Sequence, residues 1–375
     1  MSEKKKVCIL QNGLSRGGTD TFVVNLCKNI DKTHYEVTVV NPSSKEGSRV
    51  REQEVLDSGA KIIHTSGLGN GIISLLKHFV MLFNLLRKGK YDVFHTNVDL
   101  FNGPQLFVAW LVGIPVRCCH SHNTMQQKSI VEGMTLSVRI YQSIMKWMCW
   151  TFSNRRIGCS EDAMNFLFQS RAWQTDKYPT VINNGIELKS FVGLKNLENK
   201  KAQLGLSNKF HVLTVGRIIP QKNPLFISQI FCKLCKLRDD VDLVWVGVGD
   251  LENECKNIVA ESGLANRACF LGSRSDVNEI MQCCDVFLLP SNFEGLGIVL
   301  IEAQAAGLPC LASDVVPQFA NCGGVRFLPL TAGVDKWALS ICEIIDDKKN
   351  CIINKDSLSS FSVENMTMQM QKVFN

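Results

Sequence analysis

Short β-branched and apolar runs alternate with stretches of helical period along nearly the whole chain, the pattern of repeated βα units that build parallel sheets. In the first half these runs fall at residues 7–12, 36–40, 61–64, 93–96, 116–120, 156–159 and 180–182, and in the second at 212–215, 242–246, 269–271, 286–289 and 309–312. Between the two series, from Asn184-Gly185-Ile186 to about Asn208, lies a polar connector rich in Lys and Asn with no long apolar run. Two sheets and two domains are expected, residues 1–188 and 189–360. The segment 361–375 has no strand pattern. Two further helical patterns, 72–90 and 136–156, carry many large apolar residues and are followed by positive charge. In the second, Ile140, Ile144, Met148 and Phe152 recur every four residues, with Trp147 and Trp150 beside them and Arg155-Arg156 at the end. Such helices either pack on their own sheet or present aromatic rings and cations to an anionic membrane surface.

Composition narrows the classes. At 375 residues and 45% hydrophobic content the chain suits two globular domains of ordinary size. The longest apolar stretch, 72–86, is broken by Lys77, His78 and Asn84 and falls short of the roughly 20 residues a bilayer span needs. The opening MSEKKKVCIL runs from charge straight into a strand with no apolar signal region, so a cytoplasmic protein is expected, placed at the inner face of the cell membrane if it meets lipid. Sixteen cysteines are scattered through strands and helices, and the pair Cys232 and Cys235 has no second pair to complete a zinc site. No metal is expected. The net charge of +6 is too thin for nucleic-acid binding and fits a phosphate-bearing ligand.

The densest chemistry lies in 291–314, SNFEGLGIVLIEAQAAGLPCLASD. Gly295-Leu296-Gly297 reads as a turn and Ile298 onward as a helix, whose first N–H groups and positive dipole end make an anion seat. Glu294 and Glu302 flank it, and a carboxylate accepts two hydroxyl hydrogens from a diol. A phosphate between two diol-binding acids describes a sugar nucleotide. Upstream, Gly216-Arg217 ends an apolar run and Lys222 follows five residues on, so fixed cations stand where charge develops on a departing phosphate. Gly17-Gly18 lies between a strand and a helical stretch, where backbone approaches a ligand closely, with Thr19 or Asp20 capping the helix. His120 and His122 follow another strand; either could meet a sugar hydroxyl, with His120 slightly preferred. Gly247 and Gly249, after a further strand, leave room for a nucleoside to lie against the backbone.

These blocks resemble the retaining, nucleotide-sugar-dependent glycosyltransferases of family 4, especially bacterial surface-polysaccharide members. The E-x7-E of Glu294 and Glu302, the small-residue helix EAQAAG, Gly17-Gly18, Val215-Gly216-Arg217 and Gln221-Lys222-Asn223 carry the resemblance, which covers nearly the whole chain. It implies an α/β GT-B fold: two facing Rossmann-like domains with parallel sheets, and a C-terminal helix (361–375) crossing back to the acceptor-binding first domain. It further implies that Arg217 and Lys222 contact the pyrophosphate, that Glu294 holds the hexose and Glu302 the ribose, and that a histidine near 120–122 faces the donor hexose. Gly272 and Arg274 resemble the region at the edge of the base. The expected reaction is metal-independent transfer of a hexose-type sugar from a UDP-sugar co-substrate, with no other cofactor. The expected acceptor is a saccharide or lipid-linked oligosaccharide of capsule, exopolysaccharide or O-antigen synthesis. The alternative is a non-catalytic subunit that binds a nucleotide sugar and scaffolds a partner.

Overall fold

In the computed structural model, which describes residues 3–15, 17–43, 49–68, 71–122, 135–168, 171–347 and 351–375, the apolar runs form two six-stranded, wholly parallel sheets. The first contains β1 (Lys5–Leu10), β2 (Tyr35–Asn41), β3 (Lys61–His64), β4 (Val93–Thr96), β5 (Val116–Ser121) and β6 (Arg155–Gly158), in the order β3-β2-β1-β4-β5-β6. The second contains β7 (Phe210–Val215), β8 (Val241–Val246), β9 (Ala268–Phe270), β10 (Val286–Leu289), β11 (Cys310–Ser313) and β12 (Val325–Leu328), in the order β12-β11-β10-β7-β8-β9. The chain divides into one unit of Met1–Ile186 with Phe361–Asn375 and another of Glu187–Ser360.

A parallel sheet covered by helices on both faces needs apolar residues on both sides of each strand. In β1, Val7 and Ile9 enter one core with Val37, Val39 and Cys118, while Cys8 and Leu10 enter the opposite core with Phe94, Leu106 and Cys119. Central strands such as β10, Val-Phe-Leu-Leu, are buried throughout and show no alternation. The second unit packs Val212, Leu243, Trp245, Val286 and Leu311 against Ile227, Phe231, Trp337 and Ile341.

The terminal helix Val363–Phe374 belongs to the first unit: Val363, Met366, Met370, Val373 and Phe374 complete the core that holds Phe22 and Val23. The chain is stitched where it returns, with Ile186 N donating to Phe361 O (2.8 Å) and Val363 N donating to Ile186 O (3.1 Å). Gly185 is required there, because a Cβ on it would stand 2.7 Å from Val363 Cα.

Three expectations change. Residues 180–182 form a single bridge, Gly158 to Val181, because Pro179 and Asn183-Asn184 hem in the run. The edge strand β12 and the helix Gly333–Asp346 were not legible as apolar runs: β12 is Val-Arg-Phe-Leu with an exposed Arg326, and the helix is apolar on one stripe only. The helix expected to reach Arg156 stops at Phe152, and both arginines lie on β6. Arg155 stacks over Tyr178 (4.9 Å) and donates to Val373 O (3.1 Å), and Arg156 stacks over Trp150 (3.9 Å) and pairs with Asp176 (3.5 Å). They serve the packing of the first unit rather than a free basic cluster. Among the described residues no helix is long and apolar enough to cross a membrane.

Candidate active site

In a doubly wound sheet the connections leave in opposite directions at one point, and the loops beyond the carboxyl ends of the strands there open a crevice. In the second sheet β7 leads outward to β8 and β9, and β10 leads outward to β11 and β12, so the switch lies between β7 and β10. The loops that follow these two strands hold Gly216-Arg217 with Lys222, and Ser291 to Gly297.

The two loops are tied together. Asn292 N donates to Gln221 O (2.8 Å), Asn292 Nδ2 to Pro220 O (2.7 Å) and Gln221 Nε2 to Phe293 O (3.2 Å). Across this frame Lys222 Nζ donates to Glu294 Oε1 (2.5 Å), and Ser291 Oγ donates to the same oxygen (2.7 Å). The side chains are 18% and 7% exposed, so the pair is mostly shielded from solvent. Gly216 seats the lysine: it has φ +148°, and a Cβ on it would lie 2.9 Å from Lys222 Cε. Arg217 is exposed and makes no side-chain hydrogen bond or ion pair among the described residues.

Beside the pair, Gly297 adopts the left-handed conformation (φ +70°, ψ +45°) and caps the helix Ile298–Ala305 with no side chain to occupy the first-turn N–H groups. Leu296 turns inward and is buried, so Gly295, Leu296 and Gly297 offer backbone only. The helix is sunk in the unit, and Glu302 is its half-buried acid. Desolvation pushes the Glu302 carboxyl up to about 7, with Lys222 pulling the other way.

The glycines after β8 have another explanation. A Cβ on Gly247 would fall 1.9 Å from Gly216 O, and one on Gly249 would fall 2.3 Å from Ile218 O. The loops after β7 and β8 continue to pair, with Gly216 N donating to Val246 O (2.9 Å) and Ile218 N to Val248 O (3.0 Å). The chain itself therefore demands glycine at both positions, whether or not a nucleoside lies against the same backbone. Gly272 has φ +65° with open space where a Cβ would stand, and its carbonyl accepts from Gly247 N (2.8 Å). Arg274 forks onto Asp276 through Nε (2.8 Å) and Nη2 (2.7 Å), a bidentate pair that fixes the guanidinium.

In the first sheet the switch lies between β1 and β4. A cavity of about 420 Å³ opens there, lined by Gln11 and Asn12 after β1, Gly17, Gly18 and Asp20 at the start of the helix Gly18–Asn29, and Asn97 and Asp99 after β4. Asp20 organises the turn below it by accepting from Gln11 Nε2 (2.6 Å), Ser15 N (3.0 Å), Ser15 Oγ and Gly17 N (3.4 Å). Gln11, Asn12, Asn97 and Asp99 were not singled out in the sequence. Their signal is position, an amide or acid one to three residues beyond a buried strand.

His120 lies within β5, fully buried, with its ring against His95 (Nδ1 to Nε2, 3.2 Å) and 4.0 Å from that of His122. His122 keeps 8% exposure and lies 2.9 Å from Asn97 Oδ1 through Nε2. Phe22 meets both rings edge-on. Burial holds the imidazoles neutral, at about 3 for His95 and His122 and well below the usual range for His120. His122 is thus the member that retains exposure, and neither ring lines the cavity.

Residues 16–190 match the family described as Glycosyltransferase Family 4, and residues 196–322 match Glycosyl transferases group 1. Over 300 residues the chain is 30% identical to the UDP-Gal:alpha-D-GlcNAc-diphosphoundecaprenol alpha-1,3-galactosyltransferase of Escherichia coli, covering 76% of this chain and 74% of that one. The chain belongs to the family 4 glycosyltransferases. This glycosyltransferase is also 29% identical to EpsF of Bacillus subtilis over 345 residues, 91% of this chain and 88% of the other. Its fold resembles that of Anabaena Alr3699/HepE, solved in complex with UDP and glucose, with a TM-score of 0.78 at 18% identity over 98% of both chains. The fold is GT-B.

The glycine assignments in this glycosyltransferase are testable apart from catalysis. Gly247→Ala should cost about 1–3 kcal/mol as an overpacked site, more than Gly272→Ala, where only the left-handed backbone opposes the change. Urea unfolding of both variants checks this, and a Gly247→Ala midpoint equal to wild type would remove the packing explanation.

Proposed function

We propose that this enzyme transfers a hexose-type sugar from a UDP-sugar to a saccharide acceptor, with retention of configuration and without a metal ion. The acceptor is a lipid-linked oligosaccharide of surface-polysaccharide synthesis. The observation that carries the reading is the Lys222–Glu294 pair beside exposed Arg217 and a glycine-capped helix N-terminus, all at the switch point of one sheet. A nucleoside diphosphate placed on that N-terminus has two cations and free N–H groups at its phosphates. As the bond from the sugar to the phosphate breaks, these groups take up the charge that forms, the role filled elsewhere by a divalent ion. The Lys222 ammonium has three N–H donors; Glu294 engages one, and the others remain for phosphate oxygens.

Glu294 and Glu302 supply hydroxyl contacts in the second unit, Glu294 to the hexose and Glu302 to the ribose; in the first unit the neutral His122 is the histidine suited to meet a sugar hydroxyl. The acceptor oxygen attacks from the face that the diphosphate leaves, and a phosphate oxygen takes the acceptor's proton, so no carboxylate becomes a covalent nucleophile. The amide and acid groups of the first-unit cavity, Gln11, Asn12, Asn97 and Asp99, suit a hydroxyl-rich acceptor. The named substrates of the Escherichia coli relative, UDP-Gal and a diphosphoundecaprenol-linked sugar, support both donor and acceptor class, and the UDP complex of the structural neighbour supports the nucleotide.

The test is a screen of purified protein against UDP-, GDP- and ADP-sugars, reading thermal stabilisation and diphosphate release with and without EDTA. UDP-sugars should stabilise and be turned over in EDTA. Binding without any turnover, with or without a saccharide acceptor, would instead indicate the non-catalytic subunit, and proton NMR of the product's anomeric centre decides retention.

A further inference from the structure

The first-unit cavity holds a buried oxygen and a strained acid that catalysis does not explain. The oxygen belongs to Gln11, which is 4% exposed and donates through Nε2 to Asp20 Oδ1 (2.6 Å). A carboxylate is an acceptor, so the end of the amide that meets it is the nitrogen, and Gln11 Oε1 is turned the other way. Among the described residues Oε1 has no hydrogen-bond donor. A buried oxygen in this condition carries a cost that a hydroxyl from a ligand in the cavity removes.

The acid is Asp99, half-buried on the cavity wall with φ +50°, in the left-handed region. Its backbone is held from below. Asn102, fully buried, accepts from Val98 N (2.7 Å) and Thr96 Oγ1 (2.9 Å) on its Oδ1 and donates through Nδ2 to His120 O (2.8 Å), which fixes the chain just before Asp99. Asp99 Oδ1 accepts in turn from His122 N (3.2 Å). Glycine and asparagine meet a left-handed backbone at least as easily as aspartate does. The backbone alone therefore does not call for an acid, and what aspartate adds is a negative charge on the wall.

That charge has one sign. Among the described residues lining the cavity, Asp20 and Asp99 are the charged ones, and no Lys, Arg or His joins them. Asp20 is engaged by the turn at 15–17. Leu68 and Phe101, both half-buried, give the wall an apolar part that suits the C–H face of a sugar ring. A ligand that brings its own hydroxyl hydrogens fits this wall, whereas one that brings a carboxylate or phosphate meets like charge at short range.

We propose that the cavity selects an uncharged acceptor sugar: Gln11 Oε1 and Asp99 receive its hydroxyl hydrogens, and Asp99 turns away sugars that bear a carboxylate or phosphate. Asp99 is thus the residue that sets acceptor specificity by charge. The inference rests on the glycosyltransferase reading for naming the ligand an acceptor, while the selectivity follows from the cavity wall.

Saturation-transfer NMR on the full chain tests it, with UDP in excess so that the anion seat of the second unit is filled. The probes are the methyl glycosides of glucose, galactose and N-acetylglucosamine, and methyl glucuronide and methyl galacturonide, which differ from the first two only in carrying a carboxylate in place of the hydroxymethyl group. Wild type should bind a neutral glycoside and its uronide at least about ten-fold more weakly. Asp99→Asn keeps an oxygen and suits the backbone, and should narrow that ratio about ten-fold. Asp99→Gly suits the backbone and removes the oxygen, so it should narrow the ratio and also weaken the neutral glycoside about ten-fold. Gln11→Met should weaken the neutral glycoside and leave the ratio unchanged; if this variant does not fold, the two Asp99 variants decide.

Three results overturn the proposal: no binding of any neutral glycoside, equal binding of both classes by wild type, or a ratio that Asp99→Asn leaves unchanged while the thermal midpoint moves. The last would make Asp99 a structural residue only. Selective sugar binding by a protein that turns over no nucleotide sugar would defeat the enzymatic reading and leave the selectivity standing. Turnover of a UDP-sugar with unselective binding would do the reverse.

Discussion

Lys222→Ala should lower turnover by about two to three orders of magnitude, the loss that follows removal of one preorganised stabiliser of developing charge. The lysine is held ready before substrate arrives: Gly216 seats its aliphatic chain, Glu294 takes one N–H, and the 220–222 turn is fastened to 292–293. No reorganisation is then needed when the phosphate begins to leave. The same change leaves Glu294 nearly buried with Ser291 as its remaining partner, and an acid stripped of its cation destabilises the fold. The two effects separate in the double variant Lys222→Ala with Glu294→Gln, which should recover the thermal midpoint and remain inactive. A single variant that keeps most of its turnover removes Lys222 from the mechanism.

The two glutamates should divide by ligand. Glu302→Gln should weaken binding of UDP alone by roughly 10- to 100-fold, the scale of losing hydrogen bonds to a charged group. Glu294→Gln should spare UDP, since it frees Lys222 for the phosphates, and should impair turnover of the complete donor. Calorimetry with UDP decides, and equal losses in the two variants would contradict the division. Acidity adds a second signature. Desolvation brings the Glu302 carboxyl up to about 7, and the protonated form accepts fewer hydroxyl hydrogens. UDP affinity should therefore fall more steeply as pH is lowered through 7 in the wild type than in Glu302→Gln, where the phosphate's own protonation at about 6 is what remains.

Most of the architecture was legible because parallel strands buried on both faces are written as uninterrupted apolar runs, as in Val286 to Leu289 and Leu243 to Val246. Where an element is apolar on one side only, the signal thins, and β12 with Arg326 on its edge passed as loop. Within the site, Gly295 to Gly297 were readable as a turn because a glycine pair before an apolar helix leaves few other structures. What sequence did not reveal was the reason for a glycine. Gly247 and Gly249 stand beside a carbonyl of the neighbouring loop, a tertiary fact without a local trace. The histidines show the same limit: spacing puts His120 and His122 on one side at the end of β5, but only the packing of His95 and Phe22 separates the sealed ring from the one that keeps a little exposure.

The return of Val363–Phe374 to the first unit has a bearing on biogenesis. The unit that emerges first from the ribosome lacks five of its core side chains until residues 361–375 have been made, after the whole of the second unit. Domains ordinarily fold in the order of their synthesis. Here the uninterrupted stretch 187–360 can finish while its predecessor still exposes the groove around Phe22 and Val23. The nascent first unit thus keeps that apolar groove open for as long as the second takes to be translated, and termination between residues 187 and 360 leaves it without its last core side chains.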